Sequence, residues 1–276
     1  MIVDDLGLII SEIKNSFRLK GNIGIELHPR DISDINVYKL MDCGMDMVSV
    51  GVQSFHGKSL LALGRESTDT ESLLGLLRRG GFKTIDVDLI FGIPGQTAED
   101  LKNDFITAVN CGATQVSTYP FIDFSCANNV NKPQGRHEKK KMLEGLLEIS
   151  DFLGFERTSV WTFAKRGTPK YSSVTRDNFI GFGPSATSLL KDAFKINTFS
   201  VSEYIKCVNE NRVPTALTLD FNKRTRALYW LFWSTYNLLI DNRSFTDLFG
   251  GRVEDLFGLE LLIAEKLKCI RKEGEN

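Results

Sequence analysis

The sequence predicts an α/β fold in which a parallel sheet carries helices on its outer side. Short β-rich runs alternate with helical patterns through the first half of the chain, and several of those runs are almost continuously apolar. Such alternation is typical of βαβ units. Nearly continuous apolar strands are typical of parallel sheets, since both of their faces are covered. The pattern alone does not separate an open doubly wound sheet from a (β/α) barrel.

The chain opens with a predicted amphipathic helix, because apolar residues recur at helical spacing at Val3, Leu6, Ile10, Ile13 and Phe17. Four strands are then predicted, at Ile23–Leu27, Met47–Val52, Thr84–Phe91 and Gln115–Ile122. Helices are predicted between them, at Asp34–Cys43, at Glu71–Arg79 and after Thr97. Glycines follow the first two of these helices, and Thr97 to Asp100 has capping-box spacing.

The second half predicts a helix at about 137–153, a β-like run at 155–163 and a Gly-rich turn at 181–186. A long helix at 222–240 is rich in aromatic residues, which at this density more often form a core than a cofactor site. Two shorter helices close the chain, at 246–249 and 253–269. We expect two domains, an α/β domain at 1–190 and a mostly helical domain at 191–276.

Composition excludes several classes of protein. The 276 residues carry a formal net charge of -1, and their basic residues are thinly spread, so no nucleic-acid partner is expected. Asp4 and Asp5 stand where a signal peptide would be basic, and the richest apolar stretch, at 227–240, is too short to span a bilayer. A cytoplasmic protein is therefore predicted. Its five cysteines lie far apart with no Cys-x-x-Cys pair, which argues against zinc.

Four polar residues lie at or near the carboxyl ends of the predicted strands, where parallel barrels gather their functional groups: Glu26, Gln53, Arg65 and Asp88. Asp88 carries the strongest signal, because a carboxylate between two apolar neighbours is costly to bury without a partner or ligand. The following turn, at 91–96, fits a ligand loop and a tight strand–helix connection equally well.

The blocks GVQSF, LGRE and DLIFGIPGQT, in this order and spacing, resemble the oxygen-independent coproporphyrinogen III oxidase family and its haem-chaperone relatives. These are radical S-adenosylmethionine (SAM) proteins. The resemblance is strong over 21–125 and looser afterwards. It implies a (β/α) barrel with SAM and a [4Fe–4S] cluster at the carboxyl ends of the strands, followed by a mostly helical domain.

Carried over by motif, the resemblance assigns Glu26, Gln53, Arg65 and Asp88 to the lining of the SAM site. The acidic groups can accept from the amine and hydroxyls of SAM, and Arg65 can pair with its carboxylate. Ile122 and Thr187 lie where the family makes backbone or small contacts to SAM. No catalytic residue is assigned.

The sequence departs from the family at the cluster. The family binds it through Cys-x-x-x-Cys-x-x-Cys, and no such triplet occurs here, so no metal ligand is assigned. We expect that motif and two strands to precede the position of Met1 in complete family members. The expected fold is then a partial barrel with about four of the six strands.

Two functions follow from the resemblance. The first is oxidative decarboxylation of a porphyrinogen through a 5′-deoxyadenosyl radical, with a flavodoxin or ferredoxin as electron donor, inactive here for want of cluster ligands. The alternative is a haem-binding or haem-delivery protein, or a non-functional fragment. A haem ligand would have to be His28, His56 or His137, each of which is more often a surface or packing residue.

Overall fold

The computed structural model describes residues 3–123, 130–172 and 177–273. Contacts divide the chain into two compact units, residues 1–172 and 173–276. Each unit has its own hydrophobic core. None of the described helices combines the length and apolarity that crossing a bilayer requires. The domain boundary expected from the sequence lies near 190, and that boundary stays a prediction.

The first unit alternates strands and helices, as the sequence predicts. Its strands are β1 (Gly24–Leu27), β2 (Met47–Gln53), β3 (Thr84–Phe91), β4 (Gln115–Pro120), β5 (Phe155–Arg157) and β6 (Thr162–Lys165). Its helices are α1 (Val3–Ser16), α2 (Asp34–Asp42), α3 (Gly57–Ala62), α4 (Thr70–Gly80), α5 (Ala98–Asn110) and α6 (Arg136–Phe152), with a short 3-10 turn at Pro29–Asp31.

These strands form one six-stranded sheet in the order β1-β2-β3-β4-β6-β5. The first four are parallel, which confirms the predicted parallel sheet with helices. The predicted run at 155–163 is instead an antiparallel hairpin, β5 and β6, whose second strand pairs with β4. Within the described part of the chain, β1 pairs with β2 alone and is an edge strand.

Several helices of this unit begin or end at capping residues. Ser33 caps α2, and Asp69 caps α4 by accepting from the Ser72 N–H. Thr97 and Asp100 form a complete capping box at the start of α5. Gly81 ends α4 in the left-handed conformation, which glycine adopts without steric cost.

One face of the sheet is apolar and buried beneath the helices. Valine and leucine side chains alternate along β2 and β3 on this face and are inaccessible to solvent, for example Val48, Val50, Val87 and Leu89. They form one core with apolar residues of α4, α5 and α6, among them Leu74, Leu77, Leu101, Phe105 and Leu146. Close packing on this side holds the sheet in place. The side chains on the opposite face of the sheet belong to a different set of residues.

The second unit combines a small antiparallel sheet with four helices. Its strands, in spatial order, are β7 (Thr187–Leu190), β8 (Ala193–Asn197) and β9 (Thr215–Asp220). Its helices are α7 (Val201–Asn209), α8 (Lys223–Tyr236), α9 (Asn242–Phe249) and α10 (Val253–Lys266). Helices make up more of this unit than strands do, and its three strands were not predicted from the sequence.

The aromatic helix α8 contributes less to the core than its composition suggested. Trp230 is fully buried and packs edge-on against Phe245. Phe232, in contrast, is 60% exposed. The core of this unit is therefore built around one tryptophan together with Ala227, Phe245, Val253 and Phe257.

Candidate ligand site

The face of the sheet opposite the helices is polar, and register brings its side chains together. Glu26 pairs with Ser49, Ser49 with Asp86, and Asp86 with Gln115, across four parallel strands. One step nearer the carboxyl ends, Gly51 pairs with Asp88 and Asp88 with Ser117. Side chains at paired positions of parallel strands lie on the same face, so both aspartates of β3 face this row of polar residues.

Asp86 is held by a network of neutral donors. Gln115 Nε2 donates to one carboxylate oxygen at 2.8 Å, and Ser117 Oγ lies 2.9 and 3.1 Å from the two oxygens. Its side chain is buried. Burial, together with the charge of Asp88, raises the pKa of Asp86 to about 8, although the hydrogen bonds from Ser117 and Gln115 act in the opposite direction. Asp86 is therefore largely protonated at neutral pH.

Asp88 is more open than Asp86 and accepts a hydrogen bond from Ser49 Oγ at 3.1 Å. Burial raises the pKa of Asp88 to about 6; the Ser49 hydrogen bond lowers it and the charge of Glu26 adds to the rise. Near neutral pH, Asp88 thus carries the negative charge of the aspartate pair. A cationic group placed beside it would be attracted electrostatically.

The polar face is crossed near the starts of its strands by residues 168–171, here called the strap. The main chain of Tyr171 exchanges two hydrogen bonds with the Gln115 side chain, at 3.0 and 2.9 Å, and Thr84 Oγ1 donates to Pro169 O at 2.6 Å. The Tyr171 ring packs against Gly24, where a Cβ would lie 2.4 Å from the ring. The strap therefore covers the amino-terminal end of the polar face.

The carboxyl end of β2 gathers two more of the predicted residues. Gln53 has a φ of 72° at a point where the β2–β3 register shifts, and its Nε2 lies over Gly51, 2.8 Å from where a Cβ would stand. Arg65 Nη1 donates to Gly51 O at 3.2 Å. Gly51 is the register partner of Asp88, and the charge of Glu26 acts on Asp88, so the four predicted residues Glu26, Gln53, Arg65 and Asp88 lie close together.

A cavity of about 330 Å³ opens at the ends of β1 and β2. Arg65, Gly51 and His28 line it, together with residues of the loop that precedes α4. Arg30 and Glu66 form an exposed ion pair in its wall. Of the four predicted residues, Arg65 alone lines this cavity, while Asp88 lies on the strand beside Gly51. The cavity therefore offers a basic side chain to an anionic group, with a carboxylate on the neighbouring strand.

The turn at 91–96 is fixed by its own side chains. Buried Gln96 accepts at Oε1 from the N–H groups of Gly92 and Ile93 and donates to Ile90 O. Lys139 of α6 packs over Gly92, where a Cβ would lie 2.5 Å from its side chain. Of the two interpretations that the sequence left open, this arrangement favours a tight connection, since the turn satisfies its own backbone donors.

Two predicted residues remain, Ile122 and Thr187. Ile122 follows β4 and is half exposed; the preceding residue, Phe121, donates its N–H to Phe91 O and accepts from Lys139 Nζ. Thr187 begins β7 in the second unit. The roles assigned to both residues stay predictions.

Sequence reasoning overlooked several residues of the polar face: Ser49, Asp86, Gln115, Ser117 and Tyr171. A signal for Asp86 was present in the IDVDL run, because two acidic residues separated by one position share a face of a strand. Tyr171 had no such signal, since it reaches the sheet from a segment far along the chain.

The described residues contain no group of three or more His, Cys, Asp and Glu side chains that could hold a metal ion. Cys43, Cys111, Cys207 and Cys269 are free thiols, and Cys126 lies outside the described residues. The described side chains therefore do not fit a [4Fe–4S] cluster held by three thiolates.

Comparison with known proteins identifies relatives. No protein-family profile matches the chain. It is 24% identical over 247 residues to the haem chaperone HemW of Bacillus subtilis, covering 84% of this chain and 65% of the relative. It is also 24% identical over 216 residues to an oxygen-independent coproporphyrinogen III oxidase of Cereibacter sphaeroides, covering 69% of this chain and 47% of the relative. The chain thus spans between about half and two thirds of these proteins.

Among solved structures, coproporphyrinogen III oxidase (HemN) of Escherichia coli, a radical SAM enzyme, superposes with a TM-score of 0.80. The match covers 98% of this chain and 68% of that enzyme, at 18% sequence identity. The likeness at this identity concerns the fold. The chain therefore shares the fold of that enzyme and is similar in sequence to HemW and to oxygen-independent coproporphyrinogen III oxidases, as the sequence motifs predicted.

Proposed function

We propose that this chain is a SAM-binding protein related to oxygen-independent coproporphyrinogen III oxidase, and that these 276 residues bind SAM without cleaving it reductively. The observation that carries the proposal is the convergence of Asp88, Glu26, Gln53 and Arg65 at the carboxyl ends of β1 to β3. Decarboxylation of a porphyrinogen, the reaction that the family resemblance implies, would also need a cluster and an electron donor of the flavodoxin or ferredoxin type.

The chemistry of SAM supports this assignment. SAM carries a carboxylate, an ammonium group and a sulfonium charge, so it offers one anionic group and two cationic groups. Asp88 and Glu26 would accept hydrogen bonds from the amine or hydroxyls of SAM, and Arg65 would donate to its carboxylate. The Gln53 side chain can both donate and accept hydrogen bonds. Asp86 stays protonated beneath them and adds little repulsion toward an anionic group.

Calorimetric titration of the 276-residue protein with SAM tests the proposal. Asp88→Asn and Arg65→Ala should each weaken binding about tenfold to a hundredfold, since one charge-assisted hydrogen bond contributes ~1.5–3 kcal/mol. S-adenosylhomocysteine, which lacks the sulfonium charge, should bind more weakly to the wild type, and this difference should shrink in Asp88→Asn.

The control is Asp151→Asn, which removes an exposed carboxylate paired with Arg166 on the surface. It should leave SAM affinity unchanged. If neither Asp88→Asn nor Arg65→Ala alters SAM affinity, the two residues have a structural role only and the proposal fails.

Haem binding is the second candidate, and its support is the long match to proteins named haem chaperones. Of the three histidines, His28 lines the cavity, with Nδ1 accepting from the Arg30 N–H at 3.2 Å. His56 already contacts Asp100 O, and His137 lies exposed on α6. Stoichiometric haem binding that His28→Ala abolishes would favour the carrier over the SAM-binding protein.

A further inference from the structure

A buried carboxylate on α5 holds the turn that follows β2. Asp104 is inaccessible to solvent and accepts two hydrogen bonds from consecutive residues of that turn. Ser54 Oγ donates to Oδ2 and the Phe55 N–H donates to Oδ1, both at 2.7 Å. The His56 N–H in turn donates to Ser54 Oγ at 3.1 Å. Three successive residues are thus tied, directly or through one hydroxyl, to a single side chain.

The residue just before this turn is strained. Gln53 adopts a φ of 72°, a left-handed conformation that is unfavourable for a non-glycine residue and persists where its surroundings impose it. The register shift against β3 occurs at the same place. The conformation returns the Gln53 side chain over Gly51, beside the guanidinium of Arg65.

Asp104 is also an expensive residue to bury. Burial raises the pKa of its carboxyl, although the hydrogen bonds from Phe55 and Ser54 and the nearby His56 ring, 3.7 Å away at Nε2, act in the opposite direction. Every hydrogen bond described for this carboxylate comes from the turn after β2. An apolar residue would fill the same space on α5 without that desolvation cost. We therefore attribute the presence of a carboxylate at this position to its hydrogen bonds with the turn.

We propose that Asp104 is a positioning residue for the ligand site: it holds the Ser54–Phe55 turn so that Gln53 stays left-handed and its amide lies at the carboxyl end of β2. This inference rests on the proposed SAM site for its functional meaning. Its structural content, that Asp104 determines the geometry of residues 51–56, is independent of which ligand binds.

Two measurements on the full chain test the proposal, hydrogen exchange of the amides at 51–56 without ligand and calorimetric affinity for SAM. Asp104→Ala should speed exchange across 51–56 and weaken SAM binding about tenfold, the factor that ~1.4 kcal/mol of lost preorganisation gives. Asp104→Asn should restore most of both, because its amide can accept from the Phe55 N–H and donate to the Ser54 hydroxyl. Ser54→Ala, which removes one donor, should show a smaller effect of the same kind if Asp104→Ala does not fold.

The matched control is Thr97→Ala at the N-cap of the same helix, which breaks the capping box and leaves Asp100, a neighbour of the His56 ring, in place. It should destabilise α5 while leaving exchange at 51–56 and SAM affinity close to wild type. If Asp104→Ala or Ser54→Ala behaves like this control, Asp104 only stabilises the helix and the inference is wrong. If exchange responds as expected but the wild type does not bind SAM, Asp104 still positions the turn and it is the SAM assignment that fails.

Discussion

At the scale of single residues, two carboxyl groups two positions apart on β3 differ because of their surroundings. Asp86 is buried among Gln115, Ser117 and the strap, and its pKa is raised to about 8. Asp88 lies nearer the open end, and its pKa is raised to about 6. Proximity alone would make the two groups repel, so the difference in burial decides which one keeps its charge at neutral pH.

This difference predicts how stability depends on pH. A carboxyl group whose pKa is raised on folding binds its proton more tightly in the folded state, so its contribution to stability is lost as pH rises toward the folded value. For Asp86 the window extends from about 4, the unfolded value, to about 8. Within it, the wild type should lose up to about 1.4 kcal/mol of unfolding free energy per pH unit from this group.

Asp86→Asn removes the titration and should flatten that slope between pH 6 and 8. Urea denaturation of the wild type and the variant across this range measures it. The exposed-site variant Asp151→Asn should keep the wild-type slope. Equal slopes in wild type and Asp86→Asn would mean that Asp86 is already ionised in the folded protein.

At the scale of elements, the connection from β3 to α5 shows how a motif can be structural. Gln96 satisfies two backbone donors of the turn, and Gly92 leaves room for Lys139. Gln96→Ala should therefore destabilise the protein by about 2–3 kcal/mol, because two buried N–H groups lose their acceptor. Urea denaturation measures the loss, with exposed Glu99→Ala as the control. Unchanged stability with weakened SAM binding would instead make this turn a ligand loop.

The elements that sequence predicted well are those whose pattern is local. The bounds of β3 match the prediction, and α5 begins directly after Thr97, the first residue of the predicted capping box. The hairpin of β5 and β6 was read as one run because the residues between them continue the β-rich pattern, and only pairing with β4 reveals the reversal. The strands of the second unit are short, and one of them, β9, is largely exposed, so they lack the apolar signal that marked β2 and β3.

The candidate site, too, was predicted where its signals are local in sequence. Asp88, Glu26, Gln53 and Arg65 were found because each stands at a strand end or in a motif. Asp104 and Tyr171 act on the polar face or its rim from elements distant in sequence, and no local pattern links them to it. Their roles depend on tertiary contacts, which only a structure displays.

At the scale of the whole molecule, the sequence contains no cysteine triplet of the kind that holds a [4Fe–4S] cluster. The five cysteines are far apart in sequence, and those within the described residues form no metal-binding group. Anaerobic reconstitution of the 276-residue protein with iron and sulfide should therefore yield well under one [4Fe–4S] cluster per chain, as counted by iron, sulfide and absorbance. A full cluster whose spectrum responds to SAM would contradict this prediction.

The division of the sheet into an apolar and a polar face also bears on how such a protein can diverge. Side chains on the helix side must fill a fixed volume, whereas those on the opposite side need only be small or polar enough to suit a ligand. Because the two sets alternate along each strand, a change in one residue set does not oblige a change in the other. The scaffold can then persist while the sequence changes, as the TM-score of 0.80 at 18% identity illustrates.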